Sequence, residues 1–342
     1  MRVSARIAAL PLDEPFVIAR DTTEVAEVVW VELEHDGVTG YGEAAPTERY
    51  DESPESALGY VEAAADSLGD DPFAFDEIMG RLPASEYAAR AAIDGALHDL
   101  CGKLTGLPVW RLLGLRRIGP PSSWTIGIGD PDETARKAER VSDFKGLKLK
   151  LGGADGLDID RVAAVRRVWP GAIRVDVNEG WSGIDEALEA LPRLAELGVE
   201  YCEQPLPAAA MTPELKERSP IPIYVDENCH TLDDVKECGR IADGVNVKLA
   251  KSGGIREAVR MAHAARALGL GVMIGCMVET GLSIAAGAQI ASLCDFVDLD
   301  GNLLLAYDPW PGVQFVDGVQ LPSNEPGLGV TFAENAAAFS AR

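Results

Sequence analysis

The stretch FKGLKLKLGG, residues 144–153, sets Lys148 and Lys150 two apart among Leu147, Leu149 and Leu151. Alternate residues of a β-strand share a face, so one face carries the lysines and the other the leucines. A strand at the surface shows such alternation because its polar face meets water. The chain around this one instead reads as buried parallel strands, and those usually lack a polar face.

Seven further apolar runs accompany it: WTIGI from residue 124, IRVDVN from 173, VEYCEQ from 199, IPIYVDE from 221, GVNVKLA from 244, GVMIGCM from 271 and FVDLDG from 296. With GLKLKL from 146 they begin roughly every 22 to 28 residues, the length of one βα unit. Segments between them, such as DIDRVAAVRRVWP and IREAVRMAHAARALG, have helical period. Eight such units predict a closed parallel barrel. A doubly wound open sheet would carry a glycine-rich phosphate loop after its first strand, and GIGDPDE from 127 lacks the full GxGxxG.

The N-terminal third is different. EVVWVELEHDGVTGYGEAA holds Asp36-Gly37 between β-rich runs, a hairpin signal. Ser53-Pro54 reads as a helix cap with Pro in the first turn, and AARAAIDGALHDLCGKLTG as a helix stopped by Gly106 and Pro108. We therefore expect an α+β domain over 1–118, a barrel over 119–315 and a C-terminal segment, 316–342, that returns to the first domain.

The chain of 342 residues is 47% apolar, enough for a sizeable core, and carries a formal charge of −24. That charge argues against nucleic acid and anionic membranes as partners. No run approaches a membrane span and the N-terminus lacks an apolar signal core. The six cysteines show no CxxC spacing and read as reduced thiols of a cytoplasmic protein.

Marking the polar residue near the end of each barrel strand gives Lys148 and Lys150, then Asp176, Glu203, Asp226, Lys248, and finally Asp298 and Asp300. Steps from Lys150 to Lys248 are 26, 27, 23 and 22 residues, one per βα unit. Barrel enzymes place their chemistry at C-terminal strand ends. Three acids on adjacent strands cannot all stay ionised without a cation, and Mg²⁺ suits an all-oxygen set. Strands two and six face each other across a barrel, so a lysine of the Lys148/Lys150 pair and Lys248 would approach a substrate from opposite sides. That arrangement suits removing a proton from one face of a carbon and returning it on the other, provided the base lysine's pKa falls to roughly 7–8. Lys251 is expected in the following loop.

Together these motifs resemble the enolase superfamily, and within it the muconate-lactonizing subgroup, over nearly the whole chain. ARAAIDGALHDLCGKLTGLPVWRLLG resembles the helical end of its capping domain, LKLKLG its KxK motif, RVDVNEGW, EQPL and VDEN its metal strands, and NVKLAKSGGI its sixth-strand lysine motif. The resemblance implies an α/β fold, a (β/α)7β modified TIM barrel with an N-terminal α+β cap. It implies Mg²⁺ on Asp176, Glu203 and Asp226, acid/base catalysis by Lys150 and Lys248, and enolate stabilisation by Lys148. The strand-seven stretch VMIGCMVET has no His, which fits the two-lysine branch; Glu279 resembles a family residue there, and His230 follows the strand-five motif.

Asp298 and Asp300 in DLDG resemble the Asp-x-Asp by which dipeptide epimerases hold a free α-ammonium. The expected reaction is Mg²⁺-dependent epimerisation of the C-terminal residue of a dipeptide. N-succinyl amino acid racemase, o-succinylbenzoate synthase or cycloisomerase activity is the alternative. Side-chain selection is expected from the cap loops PFVIARDTTE and PTERYDES, with Arg20, Asp21, Glu48 and Tyr50 as contacts, and with Asp21, Glu24, Glu48 and Asp51 favouring a basic or polar side chain. Relatives of this family are often homo-oligomers, and the same is expected here.

Overall fold

The computed structural model describes residues 1–141 and 143–333. Strands β1 (Arg2–Val17), β2 (Thr22–His35) and β3 (Val38–Ala44) form an antiparallel sheet in that order. The β2–β3 turn puts Asp36 and Gly37 at φ 50° and 78°. Both are left-handed, as a two-residue hairpin of matching twist requires. Helix Pro54–Ala64 is capped by Ser53, which exchanges hydrogen bonds with Ser56, and helix Tyr87–Thr105 ends at Gly106 with φ 71°.

The alanines of that second helix lie flat against the sheet. A Cβ on Gly42 would stand 1.9 Å from the carbonyl oxygen of Ala92. Glycine on the strand and alanine on the helix thus let two backbones meet, and Val28, Val29, Val31 and Leu33 close the core beneath.

Eight parallel strands follow: β4 (Ser123–Ile126), β5 (Gly146–Lys150), β6 (Ala172–Asp176), β7 (Val199–Glu203), β8 (Ile223–Val225), β9 (Gly244–Lys248), β10 (Gly271–Gly275) and β11 (Phe296–Asp298). They lie side by side in sequence order, and a parallel bridge between Ser122 and Val297 brings the edge strands together. The eight expected runs coincide with these strands.

Every residue of β5 is buried. Leu147 and Leu149 belong to the apolar core, while Lys148 and Lys150 meet carboxylates within the barrel. Alternation here separates two interiors, one apolar and one charged, rather than an inside from water. Below the charged layer, Tyr201, Tyr224, Met273 and Phe296 pack into an aromatic floor. Arg174 lies 4.7 Å over the Phe296 ring and donates to Ser123 Oγ at 2.8 Å. This floor keeps water from beneath the charges, which strengthens their mutual interactions.

The C-terminal segment contacts both parts. Strands β12 (Gln314–Val316) and β13 (Val319–Leu321) form a hairpin against the start of the barrel, where Ser122 N donates to Gly318 O at 2.7 Å and Phe315 packs on Phe144. The expected boundary at 315/316 falls inside this hairpin. Farther on, Leu328 N donates to Asp99 Oδ1 of the cap and Val109 N to Gly327 O. Residues 334–342 of the expected returning segment lie outside the described residues. Elsewhere on the cap–barrel joint, Glu43 of β3 accepts from Trp30 Nε1 and from the amide and hydroxyl of Thr280, which caps helix Gly281–Ala288. No helix among the described residues is long and apolar enough to cross a membrane.

Candidate active site

A cleft of about 820 Å³ opens between the C-terminal ends of the barrel strands and the two cap loops. Its barrel wall presents Thr125, Lys148, Lys150, Lys248, Asp298 and Asp300. Asp176, Glu203 and Asp226 lie behind the lysines, fully buried. β5 and β9 stand four places apart in a ring of eight strands, so Lys150 and Lys248 approach the cleft from opposite sides.

The ion pairs are dense. Lys148 Nζ lies 3.1 Å from Asp176, 2.9 Å from Glu203 and 2.6 Å from Asp298. Lys150 pairs with Asp176 at 2.7 Å and Lys248 with Asp226 at 2.8 Å. Asn246 Nδ2 donates to Glu203 Oε1 at 2.7 Å. Burial works against charge at Lys148, Asp176, Glu203, Asp226 and Lys248, and the neighbours decide the outcome. Burial would raise Asp176, but Lys148 and Lys150 hold it below the ordinary carboxylate range. Asp226 is held well below that range against burial by Lys248 and Lys251. Glu203, with burial and Asp176 both acting to raise it, is pushed up to about 7. Burial lowers Lys148, and Asp176, Asp298 and Glu203 more than restore it, to well above the ordinary lysine value. Lys248 is likewise raised, with Asp226 outweighing burial. The expected fall of a base lysine is therefore not what this arrangement imposes on Lys248: a carboxylate at 2.8 Å keeps it protonated.

Asp300 accepts from Thr125 N at 2.6 Å and Thr125 Oγ1 at 3.2 Å. Burial first, and Asp298 second, push it up to about 7. Asp298, at the end of β11, and Asp300, just past it, thus converge on one point of the cleft, and among the described residues it is Asp298 that pairs with a lysine.

The cap residues divide. Arg20, Asp21 and Glu48 reach the cleft wall. Arg20 does so already engaged, donating to Glu227 Oε1 at 2.7 Å and Asn178 O at 3.1 Å. Tyr50 does not line the cleft; it stacks on His230 at 4.6 Å, and Tyr87 meets the same imidazole edge-on at 4.8 Å. Glu24 and Asp51 also fall outside the cleft wall. Thr23, Val25, Ala26 and Glu27 of β2 line the cleft while Glu24 does not, and Asp51 ends a short 3₁₀ turn at φ 58° with its side chain in solvent. Glu279 is buried off the cleft and is pushed up to about 8 by burial and by Glu43.

Arg49, Glu179 and Glu227 are absent from the sequence-based expectation, and Lys251 is placed differently from it. Arg49 makes a two-pronged pair with Glu179, at 2.8 and 2.9 Å, tying the second cap loop to the end of β6. Arg20 ties the first loop to Glu227 beside Asp226. Lys251, expected in a loop, stands in the one-turn helix Leu249–Ser252, wholly buried against Asp226. Glu179 in VNEG and Glu227 in VDEN directly extend the metal-strand motifs, and that position was the available signal.

Among the described residues no three Asp, Glu, His or Cys side chains converge as ligands of one ion, because lysine ammoniums stand between the acids. The donor set nevertheless fits a hard divalent cation. It consists of buried carboxylate oxygens on three successive strands, from Asp176, Glu203 and Asp226, whose charge the lysine ammoniums offset here.

Two family patterns match the chain: "Mandelate racemase / muconate lactonizing enzyme, N-terminal domain" over residues 2–114 and "Enolase C-terminal domain-like" over 133–336. The L-Ala-D/L-Glu epimerase of Bacteroides thetaiotaomicron is 38% identical over 94% of this chain and 85% of its own. The dipeptide epimerase from Enterococcus faecalis, solved in complex with Mg and the dipeptide L-Leu-L-Tyr, superposes with a TM-score of 0.91 at 32% identity, covering 96% of this chain and 99% of that one. The N-succinyl Arg/Lys racemase from Bacillus cereus superposes equally well, with a TM-score of 0.91, 32% identity, and 98% and 96% of the two chains covered. Backbone similarity alone therefore does not separate these reactions.

Proposed function

The chain belongs to the mandelate racemase/muconate lactonizing enzyme family of the enolase superfamily, and from that premise we propose that it is a Mg²⁺-dependent dipeptide epimerase. It inverts the α-carbon of a dipeptide's C-terminal residue. The observation that carries the dipeptide reading is Asp300. It is a buried acid beside a second acid, raised to about 7, facing the cleft and forming no ion pair among the described residues. A substrate α-ammonium supplies a cation for it, whereas an N-succinyl substrate would bring further negative charge to the same place.

Asp176, Glu203 and Asp226 would hold Mg²⁺, which supplies positive charge for the acids and for the substrate carboxylate. Lys150, as a neutral amine, takes the α-proton from one face, and the electron pair passes into the carboxylate to give an ene-diolate. Lys248, as an ammonium, returns a proton to the opposite face; the two exchange roles in the reverse direction. Lys148, kept protonated by its three acids, serves as fixed positive charge beside the developing oxyanions rather than as a base. This reading requires that Lys248 be released from Asp226 in the loaded enzyme, since that contact is what raises it here.

The division into cap, barrel and returning segment belongs to the same reading. It is supported by the separate sheets and by a cleft that opens between them. Cytoplasmic residence is supported by the free cysteines, none paired among the described residues. A homo-oligomer is part of the proposal and is checked by light scattering.

On the cap wall Arg20 and Arg49 are both engaged by glutamates, so an acidic substrate side chain meets no free cation there, while Asp21 and Glu48 would receive a basic or polar one. A panel of L,L-dipeptides incubated in D₂O with Mg²⁺ tests the whole reading through exchange of the C-terminal α-proton. Exchange with dipeptides but not with N-succinyl amino acids supports it. Exchange confined to N-succinyl amino acids would replace the proposed substrate class, and preference for an acidic second residue would remove the side-chain reading.

A further inference from the structure

Lys251 lies outside the cleft wall and has no exposed surface. Its ammonium has four oxygen neighbours: Asp226 Oδ1 at 2.5 Å, Asp226 O at 2.7 Å, Cys229 O at 2.9 Å and Asn246 O at 2.9 Å. The two oxygens of Asp226 are thereby assigned to different lysines. Oδ1 faces Lys251 from behind, and Oδ2 faces Lys248 on the cleft side at 2.8 Å. The carbonyls that Lys251 binds belong to the turn carrying Asp226, which Cys229 N → Asp226 O closes at 3.0 Å, and to Asn246 of β9. Asn246 in turn donates to Glu203. One buried cation therefore fixes one acid directly and anchors the strand residue that orients a second.

The helix carrying Lys251 ends at Gly253 and Gly254, with φ 89° and 118°. It packs against the cap, where a Cβ on Gly254 would stand 2.4 Å from Asp94 Oδ2. The side chain is thus held from its own end as well as from the acid's.

We propose that Lys251 is a positioning residue of the metal site. By binding Asp226 Oδ1 and the surrounding carbonyls, it presents Oδ2 as the oxygen that meets the cation. This rests on the reading that Asp226 is a ligand, but it concerns a residue that touches neither substrate nor ion. Groups that orient a ligand from behind typically change metal affinity about 10- to 100-fold when removed. The sign separates this role from a through-space one. Deleting a nearby positive charge would by itself tighten the binding of another cation, whereas loss of positioning weakens it.

The test is calorimetric titration of the metal-free protein with Mg²⁺, in wild type, Lys251→Met and Lys251→Gln, with circular dichroism and thermal melting of each metal-free form. Lys251→Met keeps the stem and loses the charge; Lys251→Gln keeps a shortened donor. The expected result is a folded Lys251→Met that binds Mg²⁺ about 10- to 100-fold more weakly, with Lys251→Gln in between. A folded variant that binds within twofold of wild type, or more tightly, overturns the assignment. So does failure of both variants to fold, which would make Lys251 a residue of the fold alone. If the wild type itself binds no Mg²⁺, the metal reading goes first and this inference with it.

Discussion

Replacing Asp300 by Asn is the sharpest test of what the cleft is built to bind. The side chain is almost fully buried, hydrogen-bonded to Thr125, and lifted from the ordinary 3.8 to about 7 by burial and then by Asp298. That rise corresponds to roughly 4 kcal/mol disfavouring the charged form, an upper bound on what a bound ammonium can recover. Asparagine keeps the shape and the acceptor for Thr125 but recovers nothing from an ammonium. A loss of about 2–4 kcal/mol in kcat/KM for the preferred dipeptide is expected, or about 30- to 1000-fold, falling mainly on KM. The pH dependence has a definite sign. Below about 7 the wild-type Asp300 is protonated and attracts the ammonium weakly; above it the carboxylate is ionised. KM for a dipeptide should therefore fall as pH rises through about 7 in the wild type and stay flat over that range in Asp300→Asn. The assay is the initial rate of epimerisation by polarimetry from pH 5.5 to 8.5. An N-acylated dipeptide, lacking the ammonium, should not discriminate between the two proteins. If Asp300→Asn turns over free dipeptides with wild-type KM, the ammonium site is elsewhere and the N-acyl amino acid reaction becomes the better reading.

Lys150→Ala and Lys248→Ala should each lower epimerisation by at least about 100-fold, with one variant still exchanging the α-proton of a single stereoisomer; two singly substituted proteins racing at wild-type rate would end the two-base scheme. Arg49→Ala removes a two-pronged pair with Glu179 that is one-third exposed on the arginine side, and should raise KM about 5- to 30-fold by loosening the second cap loop, a loss of about 1–2 kcal/mol; unchanged KM and kcat would show that the loop does not depend on this contact. Gly42→Ala places a methyl 1.9 Å from Ala92 O, so helix and sheet must separate; a drop in melting temperature of several degrees, from a cost of about 3 kcal/mol or more, is expected. A melting curve that overlays the wild type would mean the close approach is not rigid.

Much of this was legible because it obeys a period. The eight strands repeat at the length of a βα unit, and within each strand the residue facing the barrel axis falls at a fixed parity. That parity exposes Lys148 and Lys150 as a pair on one face, whereas Asp300 lies just past the end of β11 and meets Asp298 at the hydroxyl of Thr125. The charged barrel interior could be read because lysines alternating with leucines in a doubly buried strand have no other place to go. The cap was legible from Asp36-Gly37 and Ser53-Pro54, each demanded by local backbone geometry.

What was not legible lies where no period operates. Tyr50 closes the short 3₁₀ turn Glu48–Tyr50, where Arg49 reaches Glu179 and Tyr50 stacks on His230. Glu24 and Asp51 look alike in composition to Asp21 and Glu48, and what separates them is the path of the backbone past the cleft, including the left-handed turn at Asp51. Lys251 is the clearest case. Three residues beyond Lys248 it has left the strand, so its parity predicts nothing, and three of its four acceptors come from residues 22 and 25 positions back in the chain. A lysine with no exposed surface must have charge-matched partners, and the acids already assigned to a cation were the nearest candidates. In a site whose acids outnumber the cations that sequence order supplies, the lysine left over is the one to place behind them.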